Sequence, residues 1–317
     1  MKTIALEEHM FPRDVLTSNG LDLGVRASRR ANELDEVGEG RIALMDEASI
    51  DVQVLSTLGN IVQELDPDRA IAVSRELNDR MASVVLRFPD RFRGFATLPM
   101  SAPRAAADEL QRGVEELGFV GAMVHGQTRG VFLDDPSVHP VLATAERLGV
   151  PIYLHPGLPP DTVRRAYFSG LEPEVAAGLA GAVWGWHAEC GMHVLRMLAS
   201  GVFERLPSLQ LIVGHMGEGI PFHLDRIETM LKPLVPGHVR TPAETLRAQL
   251  HITTSGYNTP TPLLCTLMAF GADRVLFSVD HPFADSLAAT AFLRDAPISA
   301  DDREKLAHRN AERLLGI

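Results

Sequence analysis

An α/β fold, a single (β/α)8 TIM barrel of the metal-dependent hydrolase type forming one domain over residues 1–317, is the architecture this sequence predicts. Three observations carry it. Short β-type runs alternate with helical sequence along the chain, a pattern that makes a parallel sheet. Eight such units within 317 residues favour a closed barrel over an open doubly wound sheet. No shift of composition, short repeat or low-complexity segment marks a second domain.

The first strand is expected over 3–9, an apolar run that ends abruptly in Glu7, Glu8 and His9. Residues 18–40 are polar with little periodicity and read as a long loop containing one helix, and loops of that length are often lids. Residues 41–48 look helical, and 51–56 alternate as the second strand. A long amphipathic helix follows over 68–88, with Val73, Leu77, Met81, Val84 and Phe88 at helical spacing, then a strand over 92–98. A helix over 105–117 stops at Gly118 before a strand over 119–124, and one over 140–148 stops at Gly149 before a strand over 150–155. Residues 173–198 supply helical material. A strand over 209–213 runs into Gly214 and His215, and a helix over 221–231 follows. Strands over 250–254 and 275–278 and a closing helix over 303–315 complete the pattern.

Composition excludes several functions. The chain has 41 acidic and 30 basic residues, a net charge of −11 and no dense Lys/Arg block, which argues against a nucleic-acid partner. Cys190 and Cys265 are too few for a disulfide framework, and both sit among apolar neighbours like core thiols. No basic-then-apolar signal segment precedes the first strand, so a reducing cytoplasm is expected. The longest apolar run, over 175–186, is too short and glycine-rich to span a bilayer, and no membrane partner is expected.

Chemistry in such a barrel sits at the C-terminal ends of the strands. Strand one ends in Glu7 and His9, which alternation puts on one face with Glu8 on the other. Strand five ends in His155, strand six in His215 and strand eight in Asp280. Glu7, His9, His155 and Asp280 together offer two imidazoles and two carboxylates, a nitrogen and oxygen set that suits Zn2+ or Mn2+ better than Ca2+ or a thiophilic metal. The Glu-x-His pair alone is a weak signal, because two solvated carboxylates and a histidine ending a strand would look the same. His187 and His193 read as structural, His223 as packed or on the surface, and His139, His238, His251 and His308 as surface or loop residues.

Four stretches resemble the amidohydrolase superfamily: residues 4–9, 153–156, 214–219 and 277–283. Within it they look most like the metal-dependent aromatic acid decarboxylases typified by γ-resorcylate (2,6-dihydroxybenzoate) decarboxylase. The resemblance covers nearly the whole chain, and its most specific part is Gly-His-Met-Gly-Glu-Gly at 214–219. It implies Glu7, His9, His155 and Asp280 as metal ligands, His215 and Glu218 as a catalytic pair, and Arg226 in a carboxylate pocket. Hydrolytic members open on His-x-His, whereas Glu7 in the first position matches the decarboxylase branch. Strand four runs from Gly121 through His125 to Gly126 with no lysine to bridge two ions, so one divalent metal is expected, Zn2+ ahead of Mn2+, with no organic cofactor. Two positions depart from the branch. His125 stands where a small amide is usual and His281 where an aromatic follows the aspartate, and both are expected to line the substrate pocket.

The function implied is reversible, non-oxidative decarboxylation of a small aromatic acid, an ortho-hydroxybenzoate, by a homodimer or homotetramer. Either Asp280 or His215 delivers the proton to the ring carbon. The alternative is a hydrolase of a lactone or amide that uses the same ligands, with Asp280 as general base. A non-catalytic binding protein fits poorly with so many ligand-type residues at strand ends.

Overall fold

A computed structural model describes residues 1–317 apart from the side chains of residues 25 and 26. Its strands are β1 (Ile4–Met10), β2 (Val52–Thr57), β3 (Phe92–Gly94, resumed at Ala96–Thr97), β4 (Ala122–His125), β5 (Ile152–His155), β6 (Leu211–Val213), β7 (Leu250–Thr253) and β8 (Val275–Leu276). Each pairs in parallel with the next in chain order. The ladder is interrupted at Phe95, whose N–H nevertheless donates to the Leu55 carbonyl at 2.8 Å. Its buried ring joins Ile4, Leu6, Met123, Tyr153 and Ile212 in the barrel interior. Side chains fill this interior, so it is a core and not a pore.

Closure is made by the residues that follow β8. The His9 N–H donates to the His281 carbonyl at 2.7 Å, and Glu8 and His281 form a parallel bridge. The Glu7 N–H donates to Ser278 Oγ at 2.7 Å, and the Val279 N–H to Glu8 Oε1 at 2.9 Å. The fold is thus the expected (β/α)8 barrel, with a last strand regular over only two residues and a seam sewn partly by side chains.

Helices cover the outside. The long helix Pro67–Arg87 has Pro67 in its first turn and buries Val73, Leu77 and Met81, the apolar stripe of its sequence. Helix His139–Leu148 ends at Gly149, which takes the left-handed conformation (φ +68°) that a helix stop of this kind requires. One expectation needs correction. Residues 18–40 hold no long loop: helices Arg13–Ser18, Gly24–Ser28 and Ala31–Asp35 succeed one another there, and Val15, Ala27 and Leu34 pack against Leu58, Val62 and Leu77. Helices of five or six residues are too short to show a period, and tertiary packing forms them. The stretch 173–198 is two helices, Pro173–Ala180 and Gly185–Ala199, divided near Gly181. Among the described residues no helix is long and apolar enough to cross a membrane.

Candidate active site

At the strand ends, a ligand atom from each of Glu7, His9, His155 and Asp280 lies within 4.8 Å of the others. β1 reaches this point through a shift of register between Ala5 and Glu8, an irregularity of the kind that re-aims side chains near active sites. Glu7 and His9 are wholly buried, and so is Glu8. The solvated-carboxylate alternative therefore fails for both glutamates. Glu8 faces away from the cluster: Oε2 accepts from Gln53 Nε2 at 3.1 Å and Oε1 from the Val279 N–H, and burial pushes its carboxyl up to about 8.

The hydrogen bonds around the four residues leave lone pairs that suit a cation. His155 Nδ1 lies 2.8 Å from the Pro156 carbonyl, which can only accept, so Nδ1 carries a proton and a neutral ring has its lone pair on Nε2. That Nε2 faces Glu7 Oε1 at 3.1 Å. His9 Nδ1 meets Ser56 Oγ at 3.0 Å, while Nε2 stands 3.3 Å from Asp280 Oδ1. Glu7 Oε1 and His9 Nε2 are buried and have no hydrogen-bond partner. Lone pairs that converge in this way are costly unless a cation or protons lie among them. Second nitrogens fixed by a carbonyl and a hydroxyl are the usual second-side support of metal-binding histidines. The set fits one divalent cation.

His215 and Glu218 flank the cluster. The motif at 214–219 is a tight run in which His215, Met216, Gly217, Glu218 and Gly219 all have positive φ. Left-handed non-glycine residues cost of order 1–3 kcal/mol each and concentrate at functional sites. The gain here is geometric, since the coil brings Glu218 Oε1 to 2.7 Å from His215 Nδ1. His215 Nε2 then faces Glu7 Oε1 at 3.7 Å and Asp280 Oδ2 at 3.9 Å. Burial lowers the affinity of His215 for a proton, but Glu218, Glu7 and Asp280 outweigh it and carry the imidazole well above its ordinary value. Burial raises Glu7 and Asp280, yet the surrounding histidines hold both below the usual carboxylate range.

Sequence reasoning missed His187. It was read as structural, but its Nδ1 lies 2.5 Å from Glu218 Oε2, so one carboxylate holds two imidazoles. The available signal was position: His187 lies in the first turn of helix Gly185–Ala199, the third helix in the segment that leaves the C-terminal end of β5. Gln63 was missed as well. Its amide accepts from the His125 N–H at 2.8 Å and donates to the His125 carbonyl at 3.0 Å.

The His125 ring centroid is 4.4 Å from that of His155, and both ring nitrogens are buried without a partner. Burial, then His155 and His9, hold it well below its ordinary value, so it is neutral. His281 is buried, has an unpartnered Nε2, and is pushed down to about 3 by burial and then by Arg41 and His9. Arg226 is exposed on helix Ile220–Leu231. It lines a groove of about 1090 Å³ together with His187, His215, Glu218, Tyr257 and Phe222. The structure thus brings Arg226 to the groove beside the His215 pair and not into the four-residue cluster; His125 and His281 do not line that groove.

A (β/α)8 barrel that gathers a Glu-x-His strand end, a histidine and an aspartate around one cation position defines a metal-dependent enzyme of the amidohydrolase class. The chain belongs to the amidohydrolase family, whose sequence pattern matches residues 22–317. It is 38% identical over 330 residues to the γ-resorcylate decarboxylase of Rhodococcus jostii (strain RHA1), covering 99% of this chain and 98% of that one. It superimposes on 2,6-dihydroxybenzoate decarboxylase complexed with 2,6-dihydroxybenzoate with a TM-score of 0.89 at 35% identity, over 100% of both chains. A dihydroxybenzoic acid decarboxylase from Polaromonas sp. JS666, solved with manganese and the inhibitor 2-nitroresorcinol, matches with a TM-score of 0.89 at 35% identity, over 99% of this chain and 97% of that one.

Proposed function

We propose that this chain is a reversible, metal-dependent carboxy-lyase that removes the carboxylate of an ortho-hydroxybenzoate, working as one barrel domain. The observation that carries it is the set of buried, partnerless lone pairs at Glu7 and His9, converging with His155 and Asp280 beside a His215 that readily holds a proton. Full-length relatives named as decarboxylases of dihydroxybenzoates support the same reading. A divalent cation held by Glu7, His9, His155 and Asp280 supplies Lewis acidity and a template for a ring carboxylate and its ortho hydroxyl. The manganese in the Polaromonas relative supports Mn2+ over the Zn2+ that the donor set alone puts first.

The reaction exchanges a carbon–carbon bond for a carbon–hydrogen bond: the ring carbon takes one proton, the bond to the carboxylate breaks, and CO2 leaves as the ring regains aromaticity. Asp280 is the proton donor in our reading, because Oδ2 faces His215 Nε2 and can be resupplied from it. Glu218, bonded to Nδ1, keeps the imidazole turned so that Nε2 faces Asp280. Arg226 pairs with substrate oxygens in the groove, supported by its exposure beside His215. His125 meets a ring substituent, supported by its two unpartnered nitrogens, and His281 shapes the wall near Asp280. Two free thiols support a reducing cytoplasm, and exposed Trp184, Phe222 and Leu234 around the groove support a homodimer or homotetramer.

A panel assay read by chromatography tests the proposal. The expected result is CO2 from 2,6-dihydroxybenzoate or another ortho-hydroxybenzoate and none from benzoate or 4-hydroxybenzoate, in which no ring hydroxyl can reach the ion that the carboxylate binds. Phenolic acceptors in concentrated bicarbonate should be carboxylated, since no irreversible energy source is coupled to the reaction. Clean hydrolysis of a lactone or amide, with no CO2 from any hydroxybenzoate, would overturn it.

A further inference from the structure

Glu7 presents Oε1 to the cation position, and its other oxygen is also fully engaged. Oε2 receives the hydroxyls of Tyr153, from β5, and Ser255, just beyond β7. Thr253 Oγ1 stands 2.7 Å from both Tyr153 Oη and Ser255 Oγ, which completes a buried ring of hydroxyls. All three hydroxyl residues and Glu7 itself are wholly shielded from solvent. A carboxylate that binds a metal is ionised and has acceptor sites only, so Tyr153 and Ser255 must both donate to it. Thr253 then has one proton for one of its two neighbours, and every hydroxyl proton is accounted for.

The space for this ring is also provided. A Cβ at position 214 would lie 2.8 Å from Glu7 Oε2 and 3.2 Å from Tyr153 Oη. Gly214 has φ −73° and ψ −173°, a backbone conformation open to any residue, so glycine is required here for room and not for its dihedral freedom. Tyr153 also packs among Ile4, Leu6 and Phe95, and only its hydroxyl is polar in those surroundings.

We propose that Tyr153 and Ser255 are positioning residues for metal binding: their hydroxyls hold Glu7 Oε2, so that the carboxylate meets the cation through Oε1 alone, and Gly214 keeps the space that this requires. The inference rests on the reading of Glu7 as a metal ligand. Outer partners of this kind commonly change metal affinity by about 10–100-fold when removed.

The test compares the full-length protein with Tyr153→Phe, Ser255→Ala and the double variant, each stripped with a chelator and titrated with Mn2+ while free ion is followed by electron paramagnetic resonance. Both single changes remove an oxygen and keep the packing, and thermal unfolding of the metal-free proteins checks that the fold is intact. Ser255→Thr, which retains a hydroxyl, serves as the conservative control. The expected result is one Mn2+ per wild-type chain, about tenfold or greater weakening in each single variant, a larger loss in the double variant, and near-wild-type affinity in Ser255→Thr. Excess Mn2+ should restore turnover to the single variants, because neither hydroxyl touches substrate. Equal affinity in wild type and both single variants overturns the inference and leaves the decarboxylase reading standing. Absence of any stoichiometric divalent ion in the wild type overturns both. Should one variant fail to fold, the other carries the comparison.

Discussion

At the scale of the residue, Asp280 and His155 sit in one cluster but have different assigned work, and substitution separates them. Asp280→Asn keeps an oxygen for the cation and removes the proposed proton carrier; turnover should fall by about 10²–10⁴-fold, the range general acids contribute, with metal still bound. His155→Ala removes a proposed ligand, and metal content should fall first, with activity following it. Metal analysis alongside initial rates checks both, and an Asn variant with full metal and unchanged rate would demote Asp280 to a spectator. That Glu7, His9, His155 and Asp280 come together was readable from sequence because a barrel dictates where strand ends meet, so residue type at those ends carries information. His187, Gln63, Tyr153 and Ser255 were not. Tyr153 and Glu7 are 146 positions apart, Ser255 and Glu7 248 apart, and each pair meets only through the closed sheet. The side of Glu8 was foreseen from alternation, but its burial was not, because the element that covers it lies elsewhere in the sequence.

At the scale of the element, helix Glu39–Glu47 buries a charge and exposes an apolar side chain. Its Arg41 is 1% exposed while its Leu44 is 47% exposed, the reverse of what apolar patterning suggests. The cause is the role of the guanidinium as a buried clamp. Arg41 donates to the carbonyls of His9 at 2.7 Å, Glu33 at 3.2 Å and Glu36 at 3.2 Å, and to Gln53 Oε1 at 3.1 Å. Burial lowers it to about 10, with Glu8, Glu36 and Glu33 pulling the other way, so it stays charged at neutral pH. This one side chain ties the short helix Ala31–Asp35 and its own helix to β1. Within the stretch 18–40, featureless by period, it fixes the carbonyls of Glu33 and Glu36. Arg41→Met fills similar space without the donors and leaves the three carbonyls and Gln53 short of partners. The expected loss is about 3 kcal/mol or more, the range for breaking a buried charged network. Urea unfolding measures it; a change below about 1 kcal/mol would show that water replaces the clamp at little cost.

At the scale of the whole molecule, the barrel divides its histidines by end and by task. Those at the strand ends surround the cation position, whereas His193 and His251 serve the frame. His193 Nε2 accepts from the Leu133 N–H at 2.8 Å, and its ring is lowered to about 4 by burial, with Asp134 and Arg196 acting in opposite senses. His251 was read from sequence as a surface or loop residue, but it is 4% exposed near the start of β7, where its Nε2 lies 3.0 Å from Arg274 Nη1. Burial, then Arg274 and Arg313, push it down to about 3. Both rings are neutral acceptors in the folded chain, and an unfolded histidine titrates near 6.5. Between the folded and unfolded values the unfolded chain binds more protons, so stability rises with pH in that window and is lost as pH falls from about 6.5 toward 4. The arithmetic gives about 2 kcal/mol per histidine between pH 7 and pH 5. His251→Gln supplies an acceptor oxygen in place of a titrating ring and stands at the opposite end of the barrel from Glu7, so it should leave turnover unchanged. Unfolding free energies of the wild type and His251→Gln from urea titrations, taken on metal-free protein at pH 7 and pH 5, should show a smaller drop in the variant by about that amount. Equal drops would mean that His251 remains unprotonated in the unfolded chain or charges within the fold, and the acid sensitivity of the barrel would then belong to the carboxylates and histidines at its other end.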